Sequence, residues 1–350
     1  MYLTRFTFLL ITTFMFFLTA TSAAAITIEE LAAKCERIET EIKDVSMHYV
    51  VHYISSPEER AERFPDPTKV LISVTDPNYK ITVSTPPNPN DLNTPEKWMM
   101  KMEISERVKG GPDNTVWDSK TISSYNGEIS KKLVIGNSSG RYNPDAIISE
   151  GLDYETYPWY ITPIGYSVYE LSIDTFRTRL SDWLKGNKGT VRLSNEVEKV
   201  EEFDTIRADF FIEFNREGKT HIYNARRVYF SIEHDYYPIK YEFMHTKGKT
   251  VEGNIIKYKV APTYSHNIAS LTEVQNGMYF PDCGFVSEPN KPVDAIWYAV
   301  GNITINQGLE KEDFDISFPP GTKVRDRTKD IEYVIKPTEE QFEQALQALK

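Results

Sequence analysis

The stretch TIEELAAKCERIETEIKDVSMHYVVHY, residues 27–53, changes its hydrophobic period halfway along and thereby decides the fold class. In its first half the apolar residues recur every three or four positions, as on one face of an amphipathic helix. They are Ile28, Leu31, Cys35, Ile38 and Ile42. From Val45 to Tyr53 apolar and polar residues alternate, which is typical of a strand with one buried face. Thr27 and Glu30 have the spacing of a capping box, so we predict a helix over 27–43 and a strand directly after it.

Most of the remaining chain continues with the period of two. The pair Asn126-Gly127 lies between two such runs and predicts a hairpin over 117–135. A second helix is predicted over 172–185, ending at Gly186, and a short third helix over 338–349. The order of elements lacks the alternation of strand and helix that a parallel sheet needs. We therefore predict an α+β fold, mainly β: a strongly curved antiparallel half-barrel sheet of roughly 10–12 strands, with helices packed in its concave face.

The N-terminal 25 residues have the features of a secretory signal peptide. Arg5 precedes an apolar run, and small residues follow up to Ala25. We therefore predict cleavage near Ala25 and a location in the periplasm or outside the cell; the alternative is an uncleaved anchor. The predicted domains are the signal peptide 1–25, a single half-barrel domain 26–336 and a short C-terminal helix 337–350. No later segment is apolar enough for a membrane span.

The composition excludes some classes of partner. The chain has a formal net charge of −11, and its lysines and arginines form no block in the sequence. A nucleic acid or an anionic membrane surface is therefore not an expected partner. In an exported protein, the two cysteines, Cys35 and Cys283, are candidates for one disulfide bond; the alternative is two buried free thiols.

The order of these patterns resembles a known family. The helix IEELAAKCERIETEI and the strand VSMHYVVHY are followed later by YFSIEHDYYPIKYEF, residues 229–243, and by DFDISFPPGTKVRD, residues 313–326. This order resembles the bacterial lipoprotein-carrier fold (LolA/LolB-like), and most of all its divergent larger members. The resemblance implies an open half-barrel with helices across its mouth and a cavity for acyl chains or an apolar peptide. No residue here matches a functional residue of the carriers one for one, so lipoprotein carriage does not transfer with the fold.

Motifs that would indicate an enzyme or a metal site are weak. The sequence Gly136-Asn137-Ser138-Ser139-Gly140 fits the motif of a serine hydrolase. That motif needs a preceding buried parallel strand and a following helix, whereas here a hairpin arm precedes it and Pro144 follows. His48 and His52 are four residues apart on a strand, roughly 13 Å from each other, which is too far to share a metal. We therefore expect no catalytic residue, no metal and no cofactor, and we keep a hydrolase using Ser138 as an alternative.

The apolar residues of the predicted sheet faces and second helix are the candidate ligand-binding residues. They are Tyr49, Val51, Tyr53, Trp98, Met100, Met102, Phe176, Leu180, Trp183, Phe210, Ile212 and Phe230. Methionine and aromatic side chains give an adaptable apolar lining. The same residues would also fill an ordinary core, and the sequence alone leaves both interpretations open.

Two functions follow from these interpretations. The first is an exported, monomeric binding protein that holds a lipid, an acyl chain, a lipoprotein or an apolar segment between sheet and helices. The second is an envelope structural or interaction protein with a closed core and no ligand.

Overall fold

Strands make up most of the structure. The structure is a computed structural model, and it describes residues 26–53, 72–73, 77–88, 97–110, 115–136, 144–152, 168–169, 177–186, 190–287, 295–341 and 347. Its helices are α1 (Ile28–Glu41) and α2 (Leu180–Leu184), with a 3-10 turn at Lys311–Phe314. The strands up to α2 are β1 (Asp44–Tyr53), β2 (Ile72–Ser73), β3 (Asn78–Ser84), β4 (Met99–Gly110), β5 (Thr115–Asn126), β6 (Ile129–Ile135), β7 (Asp145–Glu150), β8 (Val168–Tyr169) and β9 (Arg177–Thr178). The later strands are β10 (Thr190–Leu193), β11 (Glu198–Val200), β12 (Phe203–Arg216), β13 (Lys219–Ser231), β14 (Tyr237–Glu252), β15 (Ile255–Gln275), β16 (Met278–Ser287), β17 (Ala295–Ala299), β18 (Thr304–Ile305), β19 (Lys323–Asp326) and β20 (Ile331–Val334).

Helix α1 forms where the sequence predicts it. The Thr27 hydroxyl accepts a hydrogen bond from the Glu30 backbone N–H at 3.1 Å, and the Glu30 carboxylate accepts one from the Thr27 N–H at 2.9 Å. The predicted capping box is therefore confirmed. Leu31, Ala32 and Cys35 are the buried residues of the helix, so its apolar stripe faces the protein interior.

Strand β1 lies in the middle of the sheet. Its residues Val45, Met47, Tyr49 and Val51 are buried, as the alternation predicts, while His52 on the other face is exposed. On one side β1 pairs with β3, and on the other side it pairs with β17 and β18. The strand nearest the N-terminus therefore joins strands from the two halves of the chain.

The hydrogen-bonded pairs join 18 of the described strands into one linear sheet. The order is β20-β19-β7-β6-β5-β4-β3-β1-β17-β16-β15-β14-β13-β12, with β10 and β11 both on the outer side of β12. Strand β2 lies beside β4, and β18 lies beside β1. The sheet is mixed, because β7 pairs with β19 in parallel and the first residues of β13 pair with those of β15 in parallel.

The predicted fold class is wrong in three respects. The sheet has 18 strands instead of 10–12, and it is mixed instead of antiparallel. The described helices do not pack in a concave face of the sheet, as the predicted half-barrel requires. The strand number was too low because strands of two to four residues, such as β2, β11 and β18, carry too little alternation to be recognised. The parallel pairs join strands that are far apart in the chain, and such pairing leaves no local signal.

Other local predictions have mixed outcomes. The hairpin at Asn126-Gly127 is confirmed: β5 and β6 pair there, and Gly127 has a φ of +92°. The predicted helix over 172–185 is too long. Its residues 172–176 lie outside the described part of the chain, residues 177–178 form β9, and only Leu180–Leu184 is helical. At the C-terminus residues 339–341 are helical, and Thr338 and Gln341 cap each other.

Candidate apolar binding site under the helix pair

The structure divides the predicted lining residues between two apolar clusters. The central cluster surrounds β1 and contains Tyr49, Val51, Trp98, Met100 and Met102. The helix cluster contains Leu180, Trp183, Phe210 and Phe230, with Ile212 packed against it. Phe176 and the side chain of Tyr53 lie outside the described part of the structure. The predicted set therefore does not form one continuous lining.

The central cluster is a packed core. Tyr49 is fully buried, and its ring meets the Trp297 ring edge to face at 5.3 Å. Its hydroxyl donates a hydrogen bond to the Pro281 carbonyl oxygen at 2.5 Å. Met100, elsewhere in the same cluster, is 1% exposed. These side chains fix one another, and we assign them to the stability of the sheet.

The helix cluster has a different construction, because both helices and three strands contribute side chains to it. Its members are Leu31, Ala32 and Cys35 from α1, Leu180, Trp183 and Leu184 from α2, and Ala208, Phe210, Val228, Phe230 and Tyr241 from strands β12, β13 and β14. The Trp183 ring meets Phe210 edge to face at 5.4 Å. Helix α2 therefore covers apolar sheet residues that water would otherwise reach.

A polar contact joins the two helices beside this cluster. The Glu39 carboxylate accepts hydrogen bonds from the Ser181 backbone N–H at 3.2 Å and from the Ser181 hydroxyl. Burial raises the pKa of Glu39 to about 7, although the Ser181 hydrogen bonds and Arg179 work in the opposite direction. An outer ion pair, Lys185 to Glu36 at 2.9 Å, supports the contact.

Helix α1 is attached to the sheet independently of α2. Asp235, in the turn between β13 and β14, forms ion pairs with Lys34 and Arg37 of the helix. The Lys34 ammonium also lies 5.4 Å from the centre of the Tyr236 ring. The sequence analysis did not identify Asp235, Glu39 or Ser181 as functional, because nothing in their local pattern shows that they meet α1 or α2.

Trp183 has an unpaired polar atom inside the helix cluster. Its side chain is 2% exposed, and its Nε1 has no hydrogen-bond partner among the described residues. A buried donor without an acceptor costs about 1–3 kcal/mol. A ligand with a carboxylate or ester oxygen would supply the missing acceptor.

The opposite face of the same strands is covered by ion pairs. Arg207, Asp209 and Arg227 alternate along the chain with the buried Ala208 and Val228. The ion pairs are Arg207–Glu198 at 2.6 Å, Arg207–Asp209 at 3.1 Å, Arg227–Asp209 at 2.7 Å and Lys240–Glu242 at 3.0 Å. The side of β12–β14 that faces the helices is therefore the apolar side of these strands.

Two open clefts of about 450 and 440 Å³ lie elsewhere on the sheet. The first is bordered by residues such as Asn78 and Lys120, the second by Thr272 and Asp282. None of the predicted lining residues is among the residues that line these clefts. Helix α2 and the sheet together bury the side chains of the helix cluster in the described part of the chain.

The other predicted sites have the following outcomes. Cys35 and Cys283 are free thiols, so the predicted disulfide is not formed. The Cys35 side chain packs into the helix cluster, whereas Cys283 lies on β16 between β15 and β17.

Ser138 lies outside the described residues, and the strand before it, β6, is antiparallel to both of its neighbours. No group of three or more metal-ligating side chains occurs among the residues that the structure describes.

None of the helices in the described ranges combines the length and the hydropathy that crossing a bilayer requires.

No family model matches the chain, and no curated protein matches it. Among solved structures, the chain is similar to a DUF1329 family protein from Desulfovibrio piger, with 10% identity, a TM-score of 0.40 and coverage of 82% of this chain and 95% of the other. A domain described as an outer membrane lipoprotein-sorting protein, from Vibrio parahaemolyticus, gives 11% identity, a TM-score of 0.36 and coverage of 82% and 95%. LprF from Mycobacterium bovis gives 9% identity, a TM-score of 0.23 and coverage of 78% and 91%. Because these scores and identities are low, the likenesses carry no argument about the function of this chain.

Proposed function

We propose that this chain is an exported protein that binds an acyl chain, a lipid or an apolar segment between α2 and strands β12–β14. The observation that carries the proposal is that the five-residue helix α2 covers the apolar face of these strands. An isolated helix of this length is not stable in water. Its position therefore depends on its contacts with α1 and the sheet, and an apolar ligand that replaces the sheet contacts would offset the cost of moving it.

An apolar ligand would take the place of the α2 side chains on the sheet. Burial of each methylene group contributes roughly 0.8 kcal/mol, so a sixteen-carbon chain could bind without any catalytic group. The sheet offers Phe210, Phe230 and Tyr241 as contact surface. The Trp183 Nε1 would orient the polar end of the ligand by donating the hydrogen bond that it lacks in the closed form.

The proposed route for the ligand is tested by locking α2 to α1. Glu39→Cys and Ser181→Cys, introduced together with Cys35→Ala and Cys283→Ser, place two thiols and no third at the contact that joins the helices. We expect the oxidised variant to lose binding of a fluorescent fatty acid and the reduced variant to regain it. Equal binding in both states would show that α2 does not have to move.

A second pair of cysteines supplies the control. Ser46→Cys and Thr82→Cys are direct partners across β1 and β3, away from the helix cluster. We expect oxidation of this pair to leave fatty-acid binding unchanged. A loss of binding here would mean that oxidation itself, and not the locked helix, affects the protein.

The second candidate function is an envelope interaction protein with a closed core. It is favoured by the complete burial of Tyr49, Phe210 and Phe230, because neighbouring side chains already fill the space around each of them. Native mass spectrometry of protein purified from its own host separates the two functions. A bound lipid supports the carrier, and its absence, together with failure to bind a fatty acid, supports the closed core.

For both candidate functions we propose that signal-peptide cleavage occurs near Ala25 and that residues 26–336 form a single domain. We also propose that the protein is monomeric. The N-terminal residues lie outside the described part of the chain, so mass spectrometry of the exported protein is the measurement that locates the cleavage point.

A further inference from the structure

Two hairpins extend the sheet beyond its packed part. They comprise residues 213–222, where β12 turns into β13, and residues 245–260, where β14 turns into β15; together we call them the tip. Residues 213–219 and 245–255 of the tip are exposed. The tip lies at the opposite end of β13 and β14 from Asp235, which holds α1. With eight or nine residues of strand between them, the distance is roughly 30 Å.

The tip is held together by its own contacts. Residues Thr220–Ile222 pair in parallel with Ile255–Lys257, and the Thr220 N–H donates to the Asn254 carbonyl at 2.8 Å. The His221 ring stacks on Phe214 at 4.8 Å, and its Nδ1 lies 2.8 Å from the Tyr258 hydroxyl. The tip is therefore an ordered surface and not a pair of independent loops.

The tip exposes large apolar side chains to water. Phe214 is 40% exposed, Val251 is 55% exposed and Ile255 is 37% exposed. Val251 and Ile255 flank the turn at Gly253, which is the outermost part of the second hairpin. Exposed apolar groups brought together at one end of a molecule are typical of an interaction surface.

The tip is also basic, although the whole chain has a net charge of −11. It contains six lysines and arginines against three glutamates. Arg216 lies near Glu217, and Lys257 pairs with Glu252. The lysines at 219, 247, 249 and 259 have no acidic partner among the described residues. Because these lysines come from separate strands, they form no basic block in the sequence, and the expectation against an anionic membrane partner rests on that sequence pattern alone.

We propose that the tip binds the surface of a bilayer that contains anionic lipids. Lysines near such a surface are attracted to it, while aromatic and aliphatic side chains enter the boundary between headgroups and acyl chains. The apolar turn at Gly253 with lysines on both sides matches this arrangement. An acidic protein partner with an apolar patch is the alternative occupant, and the vesicle experiments distinguish the two because the vesicles contain no protein. The proposal does not depend on ligand binding under α2.

The charge component is tested by sedimentation with vesicles. We expect the protein to bind phosphatidylcholine vesicles with about 30% phosphatidylglycerol, and to bind pure phosphatidylcholine vesicles weakly. Lys247→Glu with Lys249→Glu should weaken the binding about ten-fold or more. Lys323→Glu with Lys336→Glu, exposed lysines outside the tip, is the control with the same charge change, and it should bind like the unchanged protein.

The insertion component is tested with an environment-sensitive fluorophore. A nitrobenzoxadiazole label is attached to Val251→Cys or, as control, to Val334→Cys, which is 54% exposed on β20. Both variants carry Cys283→Ser. On addition of the anionic vesicles, the label at 251 should brighten and the label at 334 should not.

Equal vesicle binding by the two charge-reversal variants would overturn the proposal. It is also overturned if both labels respond alike, or if the protein binds soluble polyanions and ignores the vesicles.

Discussion

The carboxylate of Asp44 is buried at the start of β1 and holds a loop from the far end of the chain. Its two oxygens accept hydrogen bonds from the backbone N–H groups of Gln307 at 2.7 Å, Gly308 at 2.9 Å and Leu309 at 3.4 Å. Asp44 is only 3% exposed. A single side chain therefore satisfies three donors that belong to a loop without regular structure.

We expect Asp44→Ala to lower the free energy of unfolding by at least about 3 kcal/mol, because several buried donors lose their acceptor at once. Urea denaturation followed by tryptophan fluorescence measures this loss. Asp44→Asn keeps one acceptor oxygen and should lose less. If both variants are as stable as the unchanged protein, the carboxylate does not hold the loop.

At the scale of elements, the contact between α1 and α2 is a part of the fold that responds to pH. Burial raises the pKa of Glu39 from 4.5 to about 7. At pH values between about 4.5 and 7, Glu39 therefore keeps its proton in the folded protein, whereas in the unfolded chain it has already released it. Because the folded state binds more protons there, stability falls as the pH rises from about 4.5 to 7, and the loss persists above pH 7.

Glu39→Gln should remove this loss and stabilise the protein at pH 8 by up to roughly 3 kcal/mol relative to the unchanged chain. Urea midpoints at several pH values between 5 and 8 measure the difference between the two proteins. Burial lowers the pKa of His266 to about 4, which makes stability fall with falling pH, but this contribution is common to both proteins. Parallel curves for the two proteins would contradict the role of Glu39.

The sequence predicts elements well where a few neighbouring residues determine them. The capping box at Thr27 and Glu30 and the hairpin at Asn126-Gly127 are local signals, and both are present in the structure. Helix α2 is shorter than predicted, since the apolar spacing around Trp183 reflects packing on α1 and the sheet more than helix length. The contact of Glu39 with Ser181 could not be predicted, because it joins residues that are distant in the sequence.

At the scale of the whole molecule, the order of the strands explains why the sheet could not be predicted. Strand β1 pairs with β3, a near neighbour, and with β17, which is reached only after most of the chain. Long-range pairing of this kind depends on complementary faces and not on a local pattern. Strand β20 ends the described sheet on one side and is held to β19 by the Arg325–Glu332 ion pair at 2.7 Å. It has only four residues, and a short edge strand offers little backbone for further pairing.

The pairing of β1 with β17 and β18 is the join between strands β3–β7 and strands β10–β16 in the described sheet. Tyr49 lies in this join opposite Ala299, contacts Trp297 and donates to the Pro281 carbonyl. We expect Tyr49→Ala to cost about 3–5 kcal/mol and to divide thermal unfolding into two transitions, because the two groups of strands lose their shared core. Tyr49→Phe removes only the hydroxyl hydrogen bond, so it should cost about 1 kcal/mol and keep one transition. Calorimetry of the three proteins distinguishes these outcomes, and a single unshifted transition in the alanine variant would show that the sheet does not depend on this join.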